Sequence, residues 1–98
     1  MLKYEYSNWV YDETLKPFLT KLFQILKVQT NESEFEIIFY KIKLLSDENE
    51  EYSFSIDKNN ELFIKFSRDI EGGILSFTIQ YNKDYTKELD ILTTKFSY

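Results

Sequence analysis

Cysteine and histidine are both absent from the 98 residues of the chain. Without cysteine, the chain can form no disulfide, no thiolate nucleophile and no cysteine-rich zinc site. Without histidine, it has no Ser-His-Asp triad, no imidazole metal ligand and no imidazole for acid-base catalysis at neutral pH. We therefore expect no metal, no cofactor and no enzymatic activity, because only a carboxylate pair or a Ser/Lys pair would remain to support catalysis.

Glycine and proline are scarce, with two glycines and one proline. Gly72 and Gly73 are adjacent, and such a pair cannot form the glycine-rich loop that binds phosphates in P-loop or dinucleotide sites. The opening segment MLKYEYSNWV contains Lys3 and Glu5, so it lacks the apolar run of a signal peptide or a membrane span. We predict a single globular domain over residues 1–98, located in the cytoplasm of a bacterial cell or, for a phage-encoded protein, of its host.

Aromatic residues are abundant, with nine Phe and eight Tyr, and they supply enough apolar surface for a folded core. The net charge of −5 is unevenly distributed. Residues 31–61 carry nine acids and three bases, whereas residues 1–30 and 62–98 are close to neutral. Because a nucleic-acid-binding protein needs a basic surface, we predict no direct binding to nucleic acid or membrane. We predict instead a protein partner with a basic surface.

Hydrophobic spacing predicts a strand, then a helix, then a series of antiparallel strands. Apolar and polar residues alternate over residues 2–7, as in a half-buried strand. Leu and Phe recur at helical spacing over residues 15–26, with Thr14 as the predicted N-cap. Residues 52–66 predict a hairpin, and residues 74–81 add a further strand to the meander.

The register of these strands follows from keeping the apolar side chains on one face of the sheet. In the hairpin, Phe54 is predicted opposite Ile64 and Ile56 opposite Leu62. In the next strand pair, Ile64 is predicted opposite Phe77. The other face should be wet, and it carries Ser53, Ser55, Phe63, Lys65, Ser67, Ser76, Thr78 and Gln80.

Two segments fit both a helix and a strand. Residues 34–45 have helical spacing and a Ser33/Glu36 capping box, yet their Ile, Phe and Tyr content favours a strand. Residues 86–98 also fit either element, and their Thr pair and aromatic ending favour a strand. We expect strands in both segments.

The predicted fold is therefore α+β, with one N-terminal helix packed across an antiparallel meander sheet. The element order is β-α-β-β-β-β, with room for a further C-terminal strand. In architecture alone this looks like the cystatin or NTF2-like arrangement, in which a curved sheet packs around a helix. An analogy of that kind carries no function.

The stretch LLSDENEEYSF, residues 44–54, places four carboxylates at a predicted hairpin tip between two strands. As a calcium loop beginning at Asp47 it fails, because Tyr52 replaces the required glycine and Lys58 the required glutamate. A second interpretation is an acidic surface for a basic partner, and a third is a solvated turn that keeps a Phe-rich sheet soluble. The acidic surface would comprise Asp47, Glu48, Glu50 and Glu51, together with Glu32, Glu34 and Glu36 and with Asp57 and Glu61 around the next turn.

Our leading hypothesis is a small non-enzymatic inhibitor of the toxin-immunity or phage anti-defence type, such as an anti-CRISPR. Its acidic surface would block the basic nucleic-acid-binding site of a toxin or defence enzyme. Glu48, Glu50 and Glu51 would mimic phosphates, and Phe63 or Tyr52 would supply an apolar contact.

Other aromatic residues leave further interpretations open. Trp9 with Tyr11 is a second candidate binding anchor, although Trp9 could instead cover the open end of the core. One rival hypothesis is a small-ligand-binding module with a pocket between helix and sheet, lined by Phe18, Leu22, Phe54 and Phe77. Another is an assembly subunit that forms a homodimer through a sheet edge.

Overall fold

The computed structural model describes residues 2–45, 50–57, 62–69 and 74–96. It confirms an α+β fold in which an N-terminal helix packs on an antiparallel sheet. The element order is β-α-α-β-β-β-α, so the predicted order is wrong at two places. The elements are β1 (Leu2–Trp9), α1 (Asp12–Leu26), α2 (Glu32–Lys43), β2 (Glu51–Asp57), β3 (Leu62–Arg68), β4 (Ile74–Tyr81) and α3 (Thr86–Lys95).

The four strands lie in the order β1-β4-β3-β2, and all neighbours are antiparallel. In the β2–β3 pair, the predicted partners Phe54 and Ile64 lie opposite each other. The predicted partner of Leu62 is wrong, because a register shift after Ser55 places Asp57 there. Such a shift is typical of a bulge, where one strand carries an extra residue.

The β3–β4 pair differs from prediction by two residues along the strand. Ile64 lies opposite Ile79, and Phe66 lies opposite Phe77. A shift of two residues keeps every side chain on the same face, so hydrophobic alternation cannot detect it. The predicted faces are therefore correct although the predicted partners are not.

Residues 32–43 form helix α2 and not the predicted strand. The Asn31 side chain accepts a hydrogen bond from the Glu34 backbone N–H at 2.8 Å and donates one to the Glu34 carboxylate at 2.6 Å. This capping pair lies two residues before the predicted Ser33/Glu36 box, which is wrong. The N-terminal cap and the burial of Phe39 and Ile42 outweigh the β-propensity of the segment.

The predicted C-terminal strand is also a helix, α3. Leu89 and Leu92 are buried at helical spacing, and the Asp84 carboxylate accepts a hydrogen bond from the Thr86 N–H at 2.9 Å. The Thr93 hydroxyl is paired with the Asp90 backbone carbonyl at 3.2 Å. A threonine that forms this local hydrogen bond is accommodated in a helix, so the Thr pair does not require a strand.

Helix α1 begins at Asp12, two residues before the predicted cap. Thr14 is therefore not the N-cap; its hydroxyl donates to the Tyr11 carbonyl at 2.9 Å within the first turn. Pro17 consequently lies inside the helix. Because proline has no N–H, it cannot donate to the carbonyl of Glu13, four residues earlier.

All three described helices pack against the same face of the sheet. Phe18 of α1 lies 5.8 Å from Phe77 of β4, measured between ring centroids. Tyr4 of β1 donates a hydrogen bond to Asp90 of α3, and Lys41 of α2 lies over the Tyr52 ring of β2. The other face of the sheet is covered by none of the described helices.

Candidate protein-binding site

The acidic residues Glu32 and Glu34 lie in the first turn of α2. Glu34 forms the capping pair with Asn31, so it stabilises the start of the helix. Glu36, one turn further on, forms an ion pair with Lys16 of α1. These carboxylates belong to the helical layer of the molecule.

Glu50 and Glu51 lie beyond the opposite end of α2, which ends at Lys43. The stretch between Lys43 and Glu51 therefore connects a helix to a strand. The prediction that it forms a hairpin tip between two strands is wrong. Asp47, Glu48 and Glu61 lie outside the described residues.

Lys41, in the last turn of α2, lies over the ring of Tyr52, so Glu50 and Glu51 lie near the C-terminal end of the helix. Because a helix of this length spans about 18 Å, the structure does not bring Glu32 and Glu34, in the first turn, together with Glu50 and Glu51.

The predicted wet face of the sheet is confirmed by its exposed and half-buried side chains, and we call it the outer sheet face. Near one end of this face, one row of paired residues contains Ser7, Ser76, Ser67 and Glu51. The Ser7 and Ser76 hydroxyls share a hydrogen bond of 2.8 Å. The outer sheet face consists of Lys3, Glu5, Ser7, Trp9, Glu51, Ser53, Ser55, Phe63, Lys65, Ser67, Ile74, Ser76, Thr78 and Gln80.

Phe63 and Glu51 lie on the outer sheet face of adjacent strands. Phe63 is half-buried opposite Ser55, four residues along β2 from Glu51, a distance of about 13 Å along the strand. Glu51 forms a long ion pair of 3.7 Å with Lys65, and both side chains remain about half exposed. An exposed pair of this kind contributes little to stability, so both charges are accessible to a partner.

Tyr52, the alternative apolar contact, faces the helices. The ammonium nitrogen of Lys41 lies 5.3 Å from the centroid of the Tyr52 ring. Burial raises the pKa of the Tyr52 hydroxyl above its ordinary value. Of the two aromatic candidates, Phe63 is therefore the one that shares a face with Glu51.

Trp9 and Tyr11 form an exposed aromatic pair with ring centroids 5.8 Å apart. Trp9 lies opposite Ile74 on the outer sheet face, so it does not cover the end of the core. Val10 is buried there instead. The pair is on the β1 edge of the sheet, separated by two strands from Glu51 on the β2 edge.

Sequence reasoning missed Arg68, which is only 7% exposed. Its Nη1 donates to the Asp12 carboxylate at 2.9 Å, and its Nη2 donates to the Val10 carbonyl at 3.1 Å. The burial of Arg68 could have been predicted from the sequence, because Leu62, Ile64 and Phe66 alternate on the core face and position 68 continues the series. Arg68 therefore fastens the end of β3 to the start of α1.

A second missed feature is the outward stripe of α2, formed by Ile37, Tyr40 and Leu44. These side chains are 56%, 52% and 71% exposed. A helix turns by about 100° per residue, so the three lie within about 60° of one another and opposite the buried Phe39 and Ile42. The spacing was visible in the sequence, but a strand does not place these residues on one face.

The predicted ligand pocket between helix and sheet is occupied by core side chains. Phe18, Leu22 and Phe77 are almost fully buried. A separate open groove of about 250 Å³ lies where α1 is followed by α2. It is lined by Thr20, Phe23, Gln24, Val28, Thr30, Asn31, Glu32 and Phe35.

Within the described ranges, no three acidic, histidine or cysteine side chains are grouped closely enough to hold a metal ion. None of the helices in that part of the chain has the length and apolar character required to cross a membrane. Comparisons with protein-family models, with curated proteins and with solved structures found no match to this chain.

Proposed function

We propose that this chain is a non-enzymatic protein-binding inhibitor that acts in the cytoplasm, as a toxin-immunity or phage anti-defence protein. The observation that supports it is a sheet face that no described helix covers and that bears Phe63, with Glu50 and Glu51 at its β2 margin. Asp47 and Glu48 lie just before these glutamates in the sequence, separated from them by Asn49, and add to the same local negative charge. The target is a protein with a basic surface, most simply the nucleic-acid-binding groove of a toxin or defence enzyme.

Electrostatic attraction would bring the two proteins together. Carboxylates at the margin of a flat surface attract a basic groove and occupy the positions that phosphates would take. Glu48, Glu50 and Glu51 serve as the phosphate mimics in this proposal. Phe63 supplies an apolar contact, while the serine and threonine hydroxyls around it offer hydrogen bonds to the rim of the interface.

Affinity capture with the tagged chain tests the proposal. Lysate from the source cell is applied at about 0.1 M and about 1 M salt, because charge-driven binding weakens as the Debye length shortens. A basic protein retained only at low salt is then purified, and its binding to the chain is measured directly. Binding that is equally tight at both salt concentrations would rule out the electrostatic mechanism.

Two charge-reversal variants locate the surface on the molecule. Glu48→Lys/Glu50→Lys/Glu51→Lys should weaken binding to the purified partner by at least about a hundredfold, since several close charge pairs become repulsive. The matched control, Glu13→Lys/Gln29→Lys/Glu88→Lys/Thr94→Lys, changes the net charge equally at exposed positions outside the sheet and should bind nearly as the original chain. Equal losses in both variants would show that net charge, and not this margin, governs binding.

A further inference from the structure

Helix α2 is apolar on two opposite faces. The inward face packs on the core through Phe39 and Ile42, and the outward stripe of Ile37, Tyr40 and Leu44 has no described element over it. Single exposed apolar residues are ordinary on a protein surface. Three at spacing i, i+3 and i+7 form a continuous strip, which is the pattern of a helix that packs against a second helix.

The charges beside the outward stripe are ordered along the helix. Glu32, Glu34 and Glu36 lie in its first half, and Lys41 and Lys43 lie in its last turn. The helix is therefore negative at one end and positive at the other. A second copy of α2 running in the opposite direction would place its positive end against the negative end of the first.

We propose that two copies of this chain associate through an antiparallel pairing of their α2 helices. The register that centres the stripe places Ile37 opposite Tyr40 of the second copy and Ser33 opposite Leu44. On one side of the stripe, Lys43 of each copy then falls between Glu32 and Glu36 of the other, and Glu36 also keeps its ion pair with Lys16 of its own chain. On the opposite side, Lys41 and Glu34 keep their contacts with Tyr52 and Asn31 of their own chain. The Lys43 contacts therefore carry the pairing, and two-fold symmetry repeats them.

The predicted dimer is weak because the contact surface is short. One helix of about 18 Å on each side gives an interface at the lower end of the size range of specific complexes. We expect a dissociation constant on the order of 1–100 µM at low salt. The outward stripe faces away from the sheet, so the dimer leaves both outer sheet faces free, and the inference does not depend on the proposed function.

Sedimentation equilibrium of the full chain, over roughly 5 to 500 µM, tests the association directly. The average mass should rise from that of a monomer to that of a dimer across this range. Ile37→Ser/Tyr40→Ser should remain monomeric while keeping its far-ultraviolet circular dichroism spectrum. A chain that stays monomeric throughout would overturn the proposal, as would a dimer that this double variant leaves intact.

Charge variants test the antiparallel register. Lys43→Glu should raise the dissociation constant at least about tenfold, because the new carboxylate meets Glu32 and Glu36 of the second copy. Glu32→Lys/Glu36→Lys should do the same by placing lysines around Lys43. An equimolar mixture of these two variants restores every opposite-charge contact, so it should form a one-to-one heterodimer.

The mixture is the decisive measurement, because recovery of association cannot result from a misfolded variant. Lys21→Glu makes the same charge change as Lys43→Glu at an exposed position on α1 and should dimerise normally. A mixture that remains monomeric, although both variants are folded, would overturn the antiparallel pairing.

Discussion

At the scale of single residues, Arg68 shows how a charge can be held within an apolar face. Its guanidinium reaches the Asp12 carboxylate and the Val10 carbonyl, and the Asp12 side chain itself is 58% exposed. The acceptors thus compensate part of the cost of burying the cation. The forked shape of the guanidinium matters here, because one nitrogen donates to the connection between β1 and α1, at Val10, and another donates to the first residue of α1, Asp12.

Replacing Arg68 should lower stability through the loss of these hydrogen bonds. We expect Arg68→Met to reduce the free energy of unfolding by about 2 kcal/mol, because the Val10 carbonyl loses its donor in a buried setting. Urea unfolding measures the change. Lys65→Met, on the outer sheet face of the same strand, is the control and should change stability by no more than about 0.5 kcal/mol. Equal effects in the two variants would contradict the structural role of Arg68.

At the scale of elements, α2 shows where local capping outweighs strand propensity. The Ile, Phe and Tyr content of residues 34–45 favours a strand when it is considered alone. The helix is nevertheless supported at both ends, by the Asn31 cap and by Lys41 and Lys43 in the last turn. The segment resembles a strand in sequence partly because of its outward side chains, among them Ile37 and Tyr40.

The position of the cap gives a direct test of this element. Asn31→Ala should lower the free energy of unfolding by about 1 kcal/mol, because the Glu34 N–H loses its side-chain acceptor. Ser33→Ala, which removes the cap suggested by the sequence pattern, should be close to neutral. Thermal or urea unfolding of both variants distinguishes them. A larger loss at Ser33 than at Asn31 would contradict the observed start of α2.

The hydrophobic pattern of the sequence predicts which way the side chains of a strand face, but not which strands are neighbours. Alternation predicted β1 and the wet face of the sheet, including Ser53, Lys65 and Thr78, because face depends only on a two-residue period. It could not predict that β1 pairs with β4, since alternation says nothing about which strands are neighbours. The acidic surface was predicted as one cluster because α2 was interpreted as a strand. A helix between Glu34 and Glu50 separates the two acidic groups.

At the scale of the whole molecule, α3 joins the two ends of the described chain. Tyr4 of β1 donates to the Asp90 carboxylate at 2.9 Å and shares a 3.0 Å hydrogen bond with Thr93. Phe96 lies just beyond α3, and its ring packs edge-on against Phe18 of α1 at 5.4 Å. The last helix therefore closes the core over both β1 and α1.

Alkaline pH should weaken this closure. Burial, with a smaller contribution from the neighbouring Asp90 carboxylate, raises the pKa of Tyr4 above its ordinary value of about 10. The unfolded chain then loses its proton at a lower pH than the folded one. The stability that protonated Tyr4 contributes is complete below pH 10. It is lost as pH rises from there through the pKa of Tyr4 in the folded chain.

Urea unfolding between about pH 8 and pH 11 measures this dependence. The free energy of unfolding should fall above pH 10, and Tyr4→Phe should fall less steeply because the titrating group is gone. The two proteins are compared by the slope of the free energy of unfolding against pH, because Tyr4→Phe also loses two hydrogen bonds at every pH. Parallel slopes in the two proteins would contradict the assignment.

The strand order has a consequence for how the protein assembles during synthesis. Leu2 lies opposite Tyr81, so of the described strands the one made first pairs with the one made last. While the ribosome is still making α2 and β2, β1 has no strand partner, although Tyr6 can already stack on Phe18 of α1. Contacts between such distant positions form slowly. The sheet can therefore close only after residue 81 has left the ribosome, and until then β1 is the segment that a chaperone would have to protect.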